Sequence, residues 1–190
     1  MKKEKNKKWG VIIFTLFISL TMILSIFAIV LDNQSTSLKY NGFKFLQTND
    51  GYKVNVNGVA YTFQYYPTQL ENFNLSQNTN DILSNSVAIA ILFDPNSTLD
   101  DLMYIDYARF NFDDRTDKPI YFGITQESET YLFPVLSCDN ATAEVPFIVF
   151  NISTETSIVQ DNNCIILNAK LLEIMAVEER ISYQMLGVMK

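Results

Sequence analysis

Residues 11–31, VIIFTLFISLTMILSIFAIVL, hold no charge, no proline and no glycine. At about 1.5 Å per helical residue such a run covers roughly 30 Å, the thickness of a bilayer's hydrocarbon core. Lipid offers no partner to backbone polar groups, so the run must form a helix. Beyond it the pattern changes. Residues 32–41, DNQSTSLKYN, are polar and read as a tether. "FKFLQT", "YKVNV" and "VAYTFQYY" alternate apolar and polar positions, with Asn49-Asp50-Gly51 and Asn57-Gly58 between them. Asn-Gly is the strongest short hairpin signal, so residues 42–66 predict a three-stranded meander. Pro67 ends it, and "TQLENFNL" and "QNTNDILSNS" allow only short helical turns.

Residues 87–93, VAIAILF, are continuously apolar, as in a strand covered on both faces. Pro95 stops it, and Ser97 or Thr98 can cap a following helix whose Leu102, Ile105, Ala108 and Phe112 share one face. "KPIYFGIT" is the next strand, which makes a right-handed β–α–β unit. "AEVPFIVFNI" predicts a further strand, and "TSIVQ" and "CIILNA" a closing hairpin across residues 161–163. Leu171, Ile174, Val177, Ile181 and Met185 then fall at helical spacing, with Gly187 as C-cap. On this pattern Glu178, Glu179 and Arg180 belong to the wet side of the last helix. The expected architecture is an N-terminal transmembrane helix and one α/β (α+β) domain. That domain is a mixed sheet with an N-terminal β-meander, a β–α–β unit and a C-terminal amphipathic helix, spanning 42–190.

Charge orients this arrangement. Lys2, Lys3, Lys5, Lys7 and Lys8 precede the apolar run and Asp32 follows it. Positive charge stays cytoplasmic, so residues 1–10 are read as a cytoplasmic tail, 11–31 as an uncleaved signal-anchor and 32–190 as lying outside the cell membrane. The apolar core is longer than that of a cleaved signal peptide, and Ala28 has no small partner two residues away. The start also resembles type IV pilin-like leaders, because Gly10 opens the apolar run after a basic stretch. Those proteins carry a glutamate five residues into the mature segment, where Phe14 and Thr15 stand here. With five lysines and one glutamate in the tail, residues 32–190 carry four units more negative charge than the whole chain's −7, about −11. That excludes nucleic acid, which calls for clustered Lys and Arg.

Cys138 and Cys164 are the two cysteines, 26 positions apart on the exported side, where disulfides persist. The chain has no histidine, so a His-activated thiol and a zinc site lose their usual members. A disulfide is favoured over two free buried thiols. Sequons occur at Asn33, Asn74, Asn96, Asn140 and Asn151, all on the expected outer side. "SCDN", "VPFIVFN", "NNCIILNA" and "ERISYQMLGVMK" together resemble small single-pass membrane proteins of archaeal genomes, a group with no assigned activity. The resemblance implies a basic tail, one anchor, an exported domain with paired cysteines and a C-terminal helix. It carries over no catalytic residue.

Candidate chemistry is thin. Asp94 ends the central strand, where α/β proteins place functional groups, and with Asp100 and Asp101 offers oxygen ligands for a divalent cation. Against this, Asp-Pro is turn chemistry and the other two acids suit a helix N-terminus. "DDRTDK", residues 113–118, departs from an EF-hand loop and reads as a solvated helix end. Glu127 and Glu129 read as loop acids rather than a glycosidase pair. No phosphate-loop, dinucleotide, nucleophile-elbow or zinc-protease motif is present. Tyr61, Phe63 and Tyr65 share one strand face, which is core, or a candidate binding face if it meets solvent. The expectation is a non-catalytic, membrane-anchored interaction or structural domain of the cell envelope, without a cofactor. Its partner would be another envelope protein, a glycan or a second copy. A carboxylate- or metal-dependent enzyme or ligand-binding domain, and a pilin-like filament subunit, are the alternatives.

Overall fold

A computed structural model of the chain describes residues 2–32 and 37–189. α1 spans Lys2–Asp32. Within it Trp9–Ile26 is long and apolar enough to cross a membrane, and none of that stretch is buried. Its hydroxyls are satisfied locally. Thr15 donates to the Val11 carbonyl at 2.8 Å, Thr21 to Ile18 at 2.8 Å and Ser25 to Thr21 at 2.9 Å. Such bonding removes polar groups that a lipid-facing helix cannot hydrate. α1 and the domain that begins at Ser37 are separate compact units.

The domain opens with β1 (Ser37–Tyr40), β2 (Phe43–Thr48), β3 (Gly51–Val56) and β4 (Val59–Phe63), an antiparallel meander in chain order. Asn57 and Gly58 both take positive φ (53° and 89°), the type I′ geometry expected of this pair. Asn41 and Gly42 repeat it (45° and 85°) and turn the chain from β1 into β2. The meander therefore has four strands, and the second half of the expected tether is a strand, with Leu38 opposite Phe45. The meander stands as a sheet of its own and does not join the β–α–β sheet.

The second sheet is built from β5 (Ile89–Phe93), β6 (Ile120–Ile124), β7 (Phe147–Ile152), β8 (Ser157–Asp161) and β9 (Cys164–Ala169), in the order β6-β5-β7-β9-β8. Only β8 runs antiparallel to its neighbour. All five residues of β5 are buried. α3 (Leu99–Asp114) makes the crossover from β5 to β6. Thr98 is its N-cap, accepting from the Asp101 amide at 3.2 Å while Asp101 accepts from the Thr98 amide at 3.3 Å. This is a capping box. α2 (Gln77–Asn85), capped by Ser76, precedes β5.

One face of this sheet is covered by helices. Ile89, Ile91 and Phe93 meet Ile105, Ala108 and Phe112 of α3 and Ile174, Val177 and Ile181 of α4 (Ile174–Met185). The other face is covered by a segment of chain. Ala90, Leu92, Phe147 and Cys164 pack beneath Leu136, Cys138 and Val145. The Cys138–Cys164 disulfide fastens that segment to β9. Apolar packing, backbone bonds between Ile124 and Pro134 and Leu136, and the disulfide together hold the segment there.

α4 lies between the two sheets. Ile174, Val177 and Ile181 face the five-stranded sheet, while Ala176 and Tyr183 face Phe45, Val54 and Phe63 of the meander. Every residue from Ile174 to Gln184 is buried. The wet side expected for Glu178, Glu179 and Arg180 is therefore absent, because the meander covers it. The helix ends in a Schellman motif. Val188 N–H bonds the Tyr183 carbonyl at 2.9 Å, Gly187 N–H bonds Gln184 at 3.0 Å, and Gly187 sits at φ +70°.

Candidate functional site

The joint between the two sheets holds the densest group of buried charge. Arg115 is the residue just past α3, where the chain must leave the helix, and its side chain turns inward. Its Nη1 donates to Glu178 Oε2 at 2.5 Å, and its Nη2 donates to Glu179 Oε1 at 3.0 Å and to the Thr62 carbonyl at 2.9 Å. Glu178 also accepts from the Ser182 hydroxyl at 2.6 Å. Glu179 reaches past the end of β4 and accepts the backbone amides of Gln64 at 2.7 Å and Tyr65 at 2.8 Å. The Phe63 ring lies against the guanidinium, 4.5 Å from its centre, and stacks on Tyr183.

Two carboxylates thus share one guanidinium, all three buried. Burial pushes Glu178 up to about 7, with Arg115 opposing and the Glu179 charge adding to the rise. Glu179 is shifted upward by burial too, against its bonds to Arg115 and the two amides. Arg115 is held above its usual range because the two carboxylates outweigh its loss of solvent. No buried side-chain polar atom among the described residues lacks a hydrogen bond. The cluster's donors and acceptors are spent on holding β4 and α4 together.

Arg115 also forms part of the wall of a cleft of about 350 Å³ between the β3–β4 turn, the ends of α2 and α4, and the loop after α3. Val56, Leu83 and Met185 supply apolar lining, Lys118 a second cation. That cation is engaged as well, with Nζ donating to the carbonyls of Ser84 at 2.9 Å and Ser86 at 2.5 Å. Two of the cleft's three hydroxyls, those of Ser84 and Thr116, are likewise in use. Ser84 bonds Asn80 at 3.5 Å, and Thr116 accepts the Lys118 amide at 3.1 Å. Neither is paired with a base.

The residues singled out from sequence are scattered. Asp94 accepts from the Asn96 amide at 2.9 Å and from Gln126 at 3.3 Å, which is turn chemistry. Asp101 is occupied in the α3 cap and Asp100 is exposed beside it. Among the described residues no group of three or more acids or cysteines is arranged to hold a metal ion. Glu127 and Glu129 are exposed. In "DDRTDK" Asp113, Asp114 and Asp117 are exposed, but Arg115 is not, so that helix end is only partly solvated. The Tyr61–Phe63–Tyr65 stripe turns inward, with Phe63 fully buried and Tyr61 and Tyr65 packed around the same core. Asn74, Asn96, Asn140 and Asn151 are exposed, and Asn33 lies outside the described residues. At the Asn74 sequon the Ser76 hydroxyl is bound up in the α2 cap and to Gln160.

Comparison with known proteins finds no matching family model, no similar curated protein and no similar solved structure. The buried cluster was hidden in the sequence behind the helical spacing of Ile174, Val177 and Ile181. Its signal was the surplus of apolar residues off that stripe: Met175, Ala176 and Tyr183 leave α4 no polar side.

Proposed function

We propose that this chain is a membrane-anchored, extracytoplasmic interaction or structural domain of the cell envelope, without catalytic activity of its own. The observation that carries the reading is the pairing of α1, apolar and unburied over Trp9–Ile26, with a domain whose loop is closed by a disulfide. Disulfides persist where the environment is oxidising, and the lysines before the apolar run orient the tail inward. The strongest charge cluster supports the same reading, because its polar atoms serve the joint between sheets rather than a substrate. A topology reporter fused after residue 190 tests the placement. Activity only in the exterior form is expected, and activity only in the cytosolic form rejects it. Affinity isolation of the detergent-solubilised full-length protein tests the role, with a stoichiometric envelope protein, a glycan or a second copy as the expected companion.

A further inference from the structure

α3 is apolar on two opposite sides. Ile105, Ala108 and Phe112 are buried against the sheet. Leu99, Met103, Tyr107 and Phe110, spaced by four, four and three residues, share the opposite side and are 83, 62, 51 and 53% exposed. A surface helix needs only one apolar stripe to hold it on its own core, and the outer one has few ties to the domain: Tyr107 accepts from Gln64 Nε2 at 3.3 Å and Phe110 packs beside Phe122. Phe110 is also pre-organised. Its ring is held 4.5 Å from the Arg109 guanidinium and edge-on to Phe122, and Arg109 is itself fixed to Asp106 at 2.7 Å. Rigid aromatic side chains of this kind are favoured anchors in interfaces.

The flanks of the stripe are acidic. Asp100, Asp113 and Asp114 are all exposed along it, and α3 offers no basic residue other than the buried Arg109. We propose that the outer face of α3 docks a basic amphipathic segment of a different protein, its apolar side laid on Met103, Tyr107 and Phe110 and its Lys or Arg residues meeting the three aspartates. The inference rests on the interaction-domain reading and deepens it. A lipid surface fits poorly, because helices that lie on membranes carry Lys and Arg beside the apolar face. A second copy fits poorly too, since a two-fold contact through this face sets acidic rim against acidic rim.

The test places a photo-crosslinking amino acid at Met103 of the full-length protein in the membranes of cells that make it. The expected adduct is with another protein, and its linked peptide has Lys or Arg on both sides of an apolar stripe. Asp113→Lys with Asp114→Lys should weaken that adduct about tenfold, the order expected for the loss of two charge pairs. Both positions are exposed and close to the helix C-terminus, where lysine also suits the dipole, so folding is spared. The same probe at Val159 on β8 should not give this adduct. An adduct with a second copy or with lipid, no adduct, or one indifferent to charge reversal overturns the proposal. If the whole protein brings down a partner that the Met103 probe never reaches, the α3 assignment fails while the interaction-domain reading stands.

Discussion

At the scale of single residues, Glu178 governs how stability responds to pH. Its carboxyl is surrounded by Arg115 from the end of α3, and by Glu179 and Ser182 from α4. In the unfolded chain a glutamate titrates at about 4.3, whereas burial pushes the folded group up to about 7. Between those values the folded chain keeps a proton that the unfolded chain has lost. The stabilising contribution is therefore full below the lower value and is lost as the pH climbs through the upper one. The difference corresponds to roughly 4 kcal/mol. Urea titrations from pH 5 to pH 8 should show stability falling as the pH rises. Glu178→Gln, which mimics the protonated group in shape and charge, should remove most of that fall and leave the variant the more stable chain at pH 8. An unchanged slope would show that Glu178 does not titrate there. Glutamate, glutamate and arginine in succession read as solvent-facing in a single sequence. Their burial depends on a meander more than 100 positions away, and no local pattern carries that.

Among the elements, those fixed by short-range chemistry were legible. The α3 cap follows from Thr98 and Asp101, the β3–β4 turn from Asn57-Gly58, and the central place of β5 from its unbroken apolar run. Asn41-Gly42 carries the same turn signal as Asn57-Gly58, and the polar residues before it masked β1. What could not be read was partnership: that the meander forms its own sheet, and that α4 fills the space between two sheets. The turns also separate two kinds of glycine. Gly51 (φ +123°) stands where an added Cβ would collide with the Phe63 carbonyl oxygen, while Gly187 (φ +70°) has open space around it. Gly187→Ala should cost about 1 kcal/mol, the conformational penalty alone. Gly51→Ala should cost several times that figure, since backbone must also move, and paired thermal melts of the two variants compare them directly. Equal losses would show that the β2–β3 turn yields without strain.

Over the whole molecule, covalent and non-covalent closure divide the work. The helical face of the five-stranded sheet is held by apolar contact, and the segment over the opposite face adds the Cys138–Cys164 bond to its own apolar packing. Opening a crosslink across 26 positions should lower stability by about 3 kcal/mol. Reductant should thus shift the urea midpoint downward in the native chain and leave a Cys138→Ser, Cys164→Ser double variant unmoved. The same closure made the pairing readable in advance: with two cysteines and no histidine, sulfur has few other uses.

β4 is one of the two edge strands of the meander; Arg115 occupies its Thr62 carbonyl, and Glu179 takes the amides of Gln64 and Tyr65 just past its end. Those groups are where an incoming strand from another molecule would begin to zip on. Side chains borrowed from two helices act as a guard rail along that margin. A chain stripped of its Glu179 carboxylate would bare the amides of Gln64 and Tyr65 to edge-to-edge pairing with another copy.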